Sequence, residues 1–97
     1  MEDFESMSDE QHLECAIAIS AYSYLHRDGI LPEDRQLPKD GLHSLMWHNN
    51  AYAISRDLGE KTVADLINQG RERLIKNSEP EAIFDLATRC SAATPDT

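Results

Sequence analysis

The chain lacks the residue patterns on which most catalytic and metal sites depend. Its 97 residues include only two cysteines, and they contain no CxxC pair, no glycine-rich phosphate loop, no GxSxG motif and no HExxH motif. His12 and Cys15 lie three positions apart, but no second pair with ligand spacing accompanies them, and the acids around Cys15 disfavour a thiolate. The sequence therefore predicts a protein that is not an enzyme and that holds no metal or cofactor.

Long apolar runs and an early cluster of bases are also missing. The uncharged run at residues 15–25 is about half of the ~20 residues that a membrane-spanning helix needs. Residues 1–14 carry six acids and no Lys or Arg, whereas a secretory leader begins with bases. We therefore expect no membrane segment, no signal peptide and a cytoplasmic location. Two cysteines do not make a disulfide scaffold, so Cys15 and Cys90 are expected to be reduced and to pack as small hydrophobes.

The surplus of negative charge disfavours polyanionic partners. The chain has 18 acids and 9 Lys or Arg, a net charge of −9, so direct contact with nucleic acid or an anionic membrane is not expected. The same surplus leaves a second function open, a protein that mimics nucleic acid and inhibits a DNA- or RNA-binding protein, as some phage inhibitors do. Mimicry needs charges spread along one face, whereas six of the acids lie in residues 1–14.

Four segments have helical spacing, and no segment alternates apolar and polar residues for long enough to form a strand. The first helix begins at the capping box Ser8–Gln11 and ends near Gly29, and the others are expected at about 40–58, 62–77 and 78–92. Two Leu-Pro pairs make residues 29–40 a connector between the first two helices. The prediction is one all-α domain of residues 1–97, an irregular or up-down four-helix bundle with mobile tails at 1–7 and 93–97.

The later helices lead to further predictions. The apolar positions of the second helix keep helical spacing and are expected to face the core: Leu42, Leu45, Met46, Ala53, Ile54 and Leu58. Gly59 is expected to close that helix, and Ser78 to begin the fourth with a capping box. Gly70 interrupts the apolar stripe of the third helix at a cost of about 1 kcal/mol relative to Ala, which predicts close approach of a neighbouring backbone.

The first helix has two apolar stripes on opposite sides. The first consists of Leu13, Ile17, Ala21 and Tyr24, and the second of Cys15, Ile19, Tyr22 and His26. A helix with two apolar faces needs two surfaces to pack against, and in so short a chain one of them is expected to be a second polypeptide. We interpret the first stripe as core and the second as a protein interface, which predicts a homodimer.

The second helix carries another candidate interface. His43, Trp47 and Asn50 follow one another at i, i+4 and i+7, and they combine an aromatic ring with polar neighbours, as interface centres do. Two interpretations of Trp47 stay open, because it could anchor a partner or fill the space beneath the connector. The predicted interface residues of the two helices together are Cys15, Ile19, Tyr22, His26, His43, Trp47 and Asn50.

These features favour a protein-binding regulator. A small acidic helical chain without a catalytic cluster offers a partner mainly a shaped surface. The leading hypothesis is an inhibitor or antiactivator that dimerises and masks a surface of a larger protein. The nucleic-acid mimic is the alternative.

Overall fold

The computed structural model describes residues 4–95, and within that range it contains helices and no strand. The elements are a 3-10 turn (Phe4–Ser6) followed by α1 (Asp9–Arg27), α2 (Gly41–Arg56), α3 (Glu60–Asn77) and α4 (Pro80–Ala93). The predicted all-α domain of four helices is confirmed. None of the helices in the described part of the chain has the length and apolar character needed to cross a bilayer.

The ends of α1 agree with the sequence prediction. The Ser8 hydroxyl accepts from the amide of Gln11 at 3.2 Å, and the Gln11 side-chain oxygen accepts from the amide of Ser8 at 2.7 Å, so the capping box is complete. After the helix, Gly29 adopts a φ of 78°, a left-handed conformation that glycine tolerates without strain. The next two amides, of Ile30 and Leu31, both donate to the carbonyl of Leu25 and hold the connector against the helix end.

Two other predicted helix boundaries are wrong. Asp57 takes the left-handed conformation, with φ 53°, and closes α2, because a short polar side chain tolerates that region. Gly59 instead precedes α3 as its N-cap. The fourth helix begins at Pro80, whose missing amide hydrogen suits a first turn. Its N-cap is Glu79 and makes no side-chain capping bond, so the capping box expected at Ser78 does not form.

The segments predicted to be mobile tails, residues 1–7 and 93–97, include packed residues. Phe4 lies in the 3-10 turn with its ring against Trp47, and Thr94 is only 1% exposed. Residues 1–3 and 96–97 lie outside the described part of the chain.

α1 is the central helix of the domain. The other three helices all pack on it and make few contacts with one another. One core cluster joins α1 to the connector and α4 through Ile19, Leu31 and Ile83, and a second joins it to α2 and α3 through Ala16 and Val63. Both sides of α1 are therefore covered within one chain.

The predicted division of α1 into a core stripe and a free stripe is wrong. Ile19 is fully buried, and Cys15 and Tyr22 are 5% and 7% exposed, although all three were expected to face a partner. Conversely, Ile17 is only half-buried and Tyr24 is 39% exposed. The physical reason is that α4 and the connector lie against the Ile19 side, so the chain itself buries the stripe that was expected to need a second polypeptide.

A disulfide joins α1 to α4. Cys15 and Cys90 are bonded, and their Cα atoms are 5.3 Å apart, a usual separation for bridged residues. The expectation of two reduced thiols is therefore wrong. The two residues are 75 positions apart in sequence, and only the packing of α4 on α1 brings them together.

Gly70 lies buried where α3 passes α1. A Cβ added at this position would lie 2.8 Å from Cγ1 of Ile17, closer than real carbon atoms approach. The predicted approach of a neighbouring backbone at Gly70 is wrong, because the close neighbour is the side chain of Ile17 in α1.

Candidate functional site

α2 presents three large aliphatic or thioether side chains to solvent. Leu42, Met46 and Ile54, which were expected in the core, are 67%, 53% and 80% exposed. The prediction is wrong for these three residues, because Ser44, His48 and Tyr52 occupy the inward side of the helix. The other members of the predicted set, Leu45, Ala53 and Leu58, do pack against the core. We call the outward side the α2 face, and it consists of Leu42, His43, Met46, Trp47, Asn50 and Ile54.

The inward side of α2 is held by buried hydrogen bonds. Ser44 and His48 are fully buried. The Ser44 hydroxyl donates to that of Ser91 in α4 at 3.4 Å, and the His48 ring lies between His12 of α1 and the backbone of Cys90 in α4. Because a buried polar group without a bond costs free energy, these partners allow Ser44 and His48 to lie inward beside the buried Tyr52.

The His12 and His48 rings form a buried pair. Their Nδ1 atoms are 3.0 Å apart, and the residues are 6% and 0% exposed. Nε2 of His48 lies 3.0 Å from the Cys90 carbonyl oxygen and 3.2 Å from the Thr94 hydroxyl. A carbonyl oxygen only accepts, so this Nε2 carries the hydrogen and Nδ1 of neutral His48 is an acceptor. It follows that His12 donates from its own Nδ1.

Burial lowers the pKa of both imidazoles below the ordinary histidine value of 6.5. For His12 the main cause is loss of hydration, which the nearby Asp9 carboxylate partly opposes. For His48 loss of hydration again dominates the lowered pKa, while the bond to the Cys90 carbonyl opposes it and His12 adds to it. Both rings are therefore neutral at pH 7.

Phe4 connects the histidine pair to the α2 face. Its ring centroid lies 4.5 Å from that of His12, 5.3 Å from that of His48 and 5.7 Å from that of Trp47. Together with Ala51 and five side chains of the α2 face, Phe4 lines a cleft of about 390 Å³. The 3-10 turn thus forms one wall of a cleft whose other wall is α2.

Trp47 packs against this turn and not into the α1–α4 cluster. Its ring meets Phe4 edge-on and lies 6.2 Å from His43. The connector residues Leu31 and Leu37 pack in the cluster between α1 and α4, which does not include Trp47. Trp47 is half-buried, so part of its ring remains available at the surface.

The α2 face is an uncharged strip with an acidic border. Residues 41–55 contain no Asp, Glu, Lys or Arg, although the chain carries a net charge of −9. Three exposed acids stand at its margins, Asp40 and Asp57 at the two ends of α2 and Glu5 in the 3-10 turn beside Phe4. Two bases lie at the same ends, Lys39 beside Asp40 and Arg56, which pairs with acids of α1. An apolar surface with a charged, mainly acidic border is therefore the main chemical feature of this side of the molecule.

The predicted interface residues separate into two groups. His43, Trp47 and Asn50 lie together on the α2 face and line its cleft, whereas Cys15, Ile19 and Tyr22 lie in the core. His26 is half-buried at the end of α1. Its ring stacks on Tyr22 with centroids 5.4 Å apart, and its Nε2 lies 3.3 Å from the Glu33 carbonyl of the connector.

Sequence reasoning missed two parts of this region. The absence of any charge over residues 41–55 was a signal that could have indicated the α2 face. The helical spacing of the apolar residues in this stretch was interpreted as a core side instead. The pairing of His12 with His48, 36 positions apart, had no local signal.

Other sources of functional information are few. No group of three or more His, Cys, Asp or Glu side chains in residues 4–95 is placed to hold a metal ion. No family model, protein of known function or solved structure matches the chain. Inference about function therefore depends on the α2 face and its surroundings.

Proposed function

We propose that this chain is a small non-enzymatic regulator, an inhibitor or antiactivator, which binds a larger protein through the α2 face and masks the surface that it covers. The supporting observation is the exposure of Leu42, Met46 and Ile54, at 67%, 53% and 80%, beside a half-buried Trp47. A cluster of exposed apolar side chains on a small domain is typical of an interaction site. An aromatic ring at its centre is the residue type that contributes most to binding.

The partner is expected to offer an apolar groove with a basic rim. A helix that lays a row of apolar side chains into a groove is a common mode of recognition. The bordering acids Glu5, Asp40 and Asp57 would face bases at the edge of that groove, and they would repel an acidic surface. Because the strip itself is uncharged, no carboxylate has to be desolvated at its centre.

Self-association and location remain separate predictions. The predicted interface stripe of α1 is covered within the chain, so a homodimer would have to use another surface, of which the α2 face is the most apolar, and sedimentation at micromolar concentration would separate a dimer from a 10.9 kDa monomer. The predicted cytoplasmic location depended on reduced cysteines. Alkylation of acid-trapped extracts would report whether Cys15 and Cys90 are bonded in the cell.

The test of binding compares one substitution on the α2 face with a matched one elsewhere. A partner captured from the native host is identified by mass spectrometry, and its affinity is measured for the wild type, Met46→Glu and Ile30→Glu. Ile30 is 56% exposed, much like Met46 at 53%, but lies in the connector. Met46→Glu should weaken binding by about 2 kcal/mol or more, roughly thirtyfold, and Ile30→Glu by less than about twofold.

Two results would contradict the proposal. Equal effects of Met46→Glu and Ile30→Glu would show that the α2 face has no special role. A steep loss of affinity with salt, together with no response to Met46→Glu, would favour the nucleic-acid mimic, because exposed charge pairs are screened and apolar contacts are not.

A further inference from the structure

We propose that the His12–His48 pair is an acid-sensitive latch, which holds α2 and Phe4 against α1 while both rings are neutral and releases them when it is protonated. The consequence for binding depends on the proposed function of the α2 face. The latch itself depends only on the geometry of the two rings and their neighbours.

The hydrogen bonds of the neutral pair determine where protons can enter. Nε2 of His12 is the basic position that these bonds leave open, so it takes the first proton. His12 still donates from Nδ1 in that state, but the cation lies near the N-terminus of α1, where the helix dipole disfavours it. A second proton can enter only at Nδ1 of His48, where it would set one N–H against another at 3.0 Å between two cations. The rings must separate to accept it.

The groups that face the pair do not offset two positive charges. On α1, the carboxylate that favours a charged His12 is Asp9. That carboxylate also accepts from the Ser55 hydroxyl at 2.5 Å and from Nε of Arg56 at 3.2 Å, both near the end of α2. From α4 the pair meets the Cys90 carbonyl and the Thr94 hydroxyl, which are uncharged. From the 3-10 turn it meets the Phe4 ring, and Glu5 beside it is exposed.

The release is expected to involve α2 and the 3-10 turn rather than the whole domain. The Cys15–Cys90 disulfide keeps α4 on α1, whereas α2 loses its bond to His12 once the rings separate. Phe4 packs on both imidazoles and on Trp47, so it loses the packing surface that places it against α2. The cleft between Phe4 and α2 would then change shape as the pH falls.

The direction of the effect follows from proton linkage. The lowered pKa of each histidine means that the closed state binds fewer protons than the open or unfolded state just below pH 6.5. The stability that the neutral pair supplies is fully present above pH 6.5 and is lost as the pH falls towards the folded pKa. For each proton that the open state binds in excess of the closed state, the equilibrium constant for closing falls about tenfold when the pH falls by one unit.

The experiment follows the latch without any partner. Because the His43 ring lies 6.2 Å from the Trp47 ring and would add its own imidazole signals, all variants carry His43→Gln. Nitrogen NMR of the imidazoles, cross-relaxation between Phe4 and Trp47, and denaturant unfolding are recorded from pH 7.5 to 5.0. The background protein is compared with His12→Gln and with the control His26→Gln, which removes an imidazole at the surface end of α1.

The expected result is loss of the Phe4–Trp47 contact together with the fall in folding constant below pH 6.5. His12→Gln removes one of the two imidazoles of the pair. With each unit of falling pH, the folding constant of this variant should therefore fall by a factor about ten times smaller than in the background protein. The folding constant of His26→Gln should depend on pH as that of the background protein does. If His12→Gln fails to fold, the nitrogen shifts of the background protein still decide. An Nδ1 of His48 that remains a hydrogen-bond acceptor at pH 5.0, or a Phe4–Trp47 contact unchanged there, would overturn the latch. Affinity of Met46→Glu at pH 7.5 tests the proposed function independently.

Discussion

α1 and α2 are both rich in apolar residues, yet α1 buries most of its aliphatic side chains and α2 leaves large apolar side chains in solvent. α1 is enclosed by three helices and a connector, so it buries apolar residues on two sides, including Ile19. α2 meets the domain on one side, where Ser44 and His48 are buried, and it leaves Leu42 and Met46 exposed. The comparison shows that hydropathy alone does not decide which side of a helix is buried, since polar side chains with bonding partners can take the inward positions.

The exposed side of α2 reduces what the fold gains from hydrophobic burial. Covering a large aliphatic side chain contributes about 1.5–3 kcal/mol relative to leaving it in water, and α2 leaves Leu42, Met46 and Ile54 largely uncovered. A surface that covered these side chains would recover this free energy. This is the physical argument that connects the exposed apolar residues of the α2 face to a binding partner.

The sharpest test of the comparison places the same carboxylate on each helix. Ile19→Glu should unfold the domain, because Ile19 is fully buried and an unpaired buried carboxylate costs several kcal/mol out of a total of about 5–15. Met46→Glu should change the free energy of unfolding by less than about 0.5 kcal/mol, as expected of an exposed site. Circular dichroism during denaturation measures both. A folded Ile19→Glu protein would mean that the second stripe of α1 is a surface after all.

The next largest effect concerns the cross-link that encloses α1. The bond between Cys15 and Cys90 closes a loop of 75 residues, so its reduction should lower the free energy of unfolding by about 4 kcal/mol on loop-entropy grounds. Guanidinium unfolding of the oxidised and reduced protein, with the Cys15→Ala/Cys90→Ala variant as control, measures the difference. Coincident midpoints for the oxidised and reduced forms would show that α4 needs no covalent link to cover α1.

The parts of the fold that depend on neighbouring residues could be predicted from the sequence. The capping box at Ser8 and the turn at Gly29 are local, so the limits of α1 were correct. Helical spacing also grouped His43, Trp47 and Asn50 correctly on one side of α2. Spacing shows which residues share a side, but it does not show which side faces the core.

The parts that depend on distant residues could not be predicted. His48 is buried because His12 and Cys90 supply bonds from two other helices, and neither partner lies near it in sequence. The disulfide likewise joins residues 75 positions apart. Without these contacts the apolar residues of α2 looked like its core side, and the second stripe of α1 looked uncovered.

The smallest of the three effects tests how closely α3 encloses α1. Gly70→Ala would put a Cβ 2.8 Å from Cγ1 of Ile17, and overpacking of this kind costs about 1–3 kcal/mol. Gly59→Ala is a control for free space only, because nothing lies within 4 Å of a Cβ added there and its φ is −73°. Gly59 is the N-cap of α3, so its substitution reports the cost of capping rather than of overpacking. Adding Ile17→Ala to Gly70→Ala should remove the clash, and a double-mutant cycle by denaturant unfolding would isolate the coupling. Additive effects at the two positions would mean that α3 can shift away from α1. The packing around α1 would then be looser than the comparison with α2 assumes.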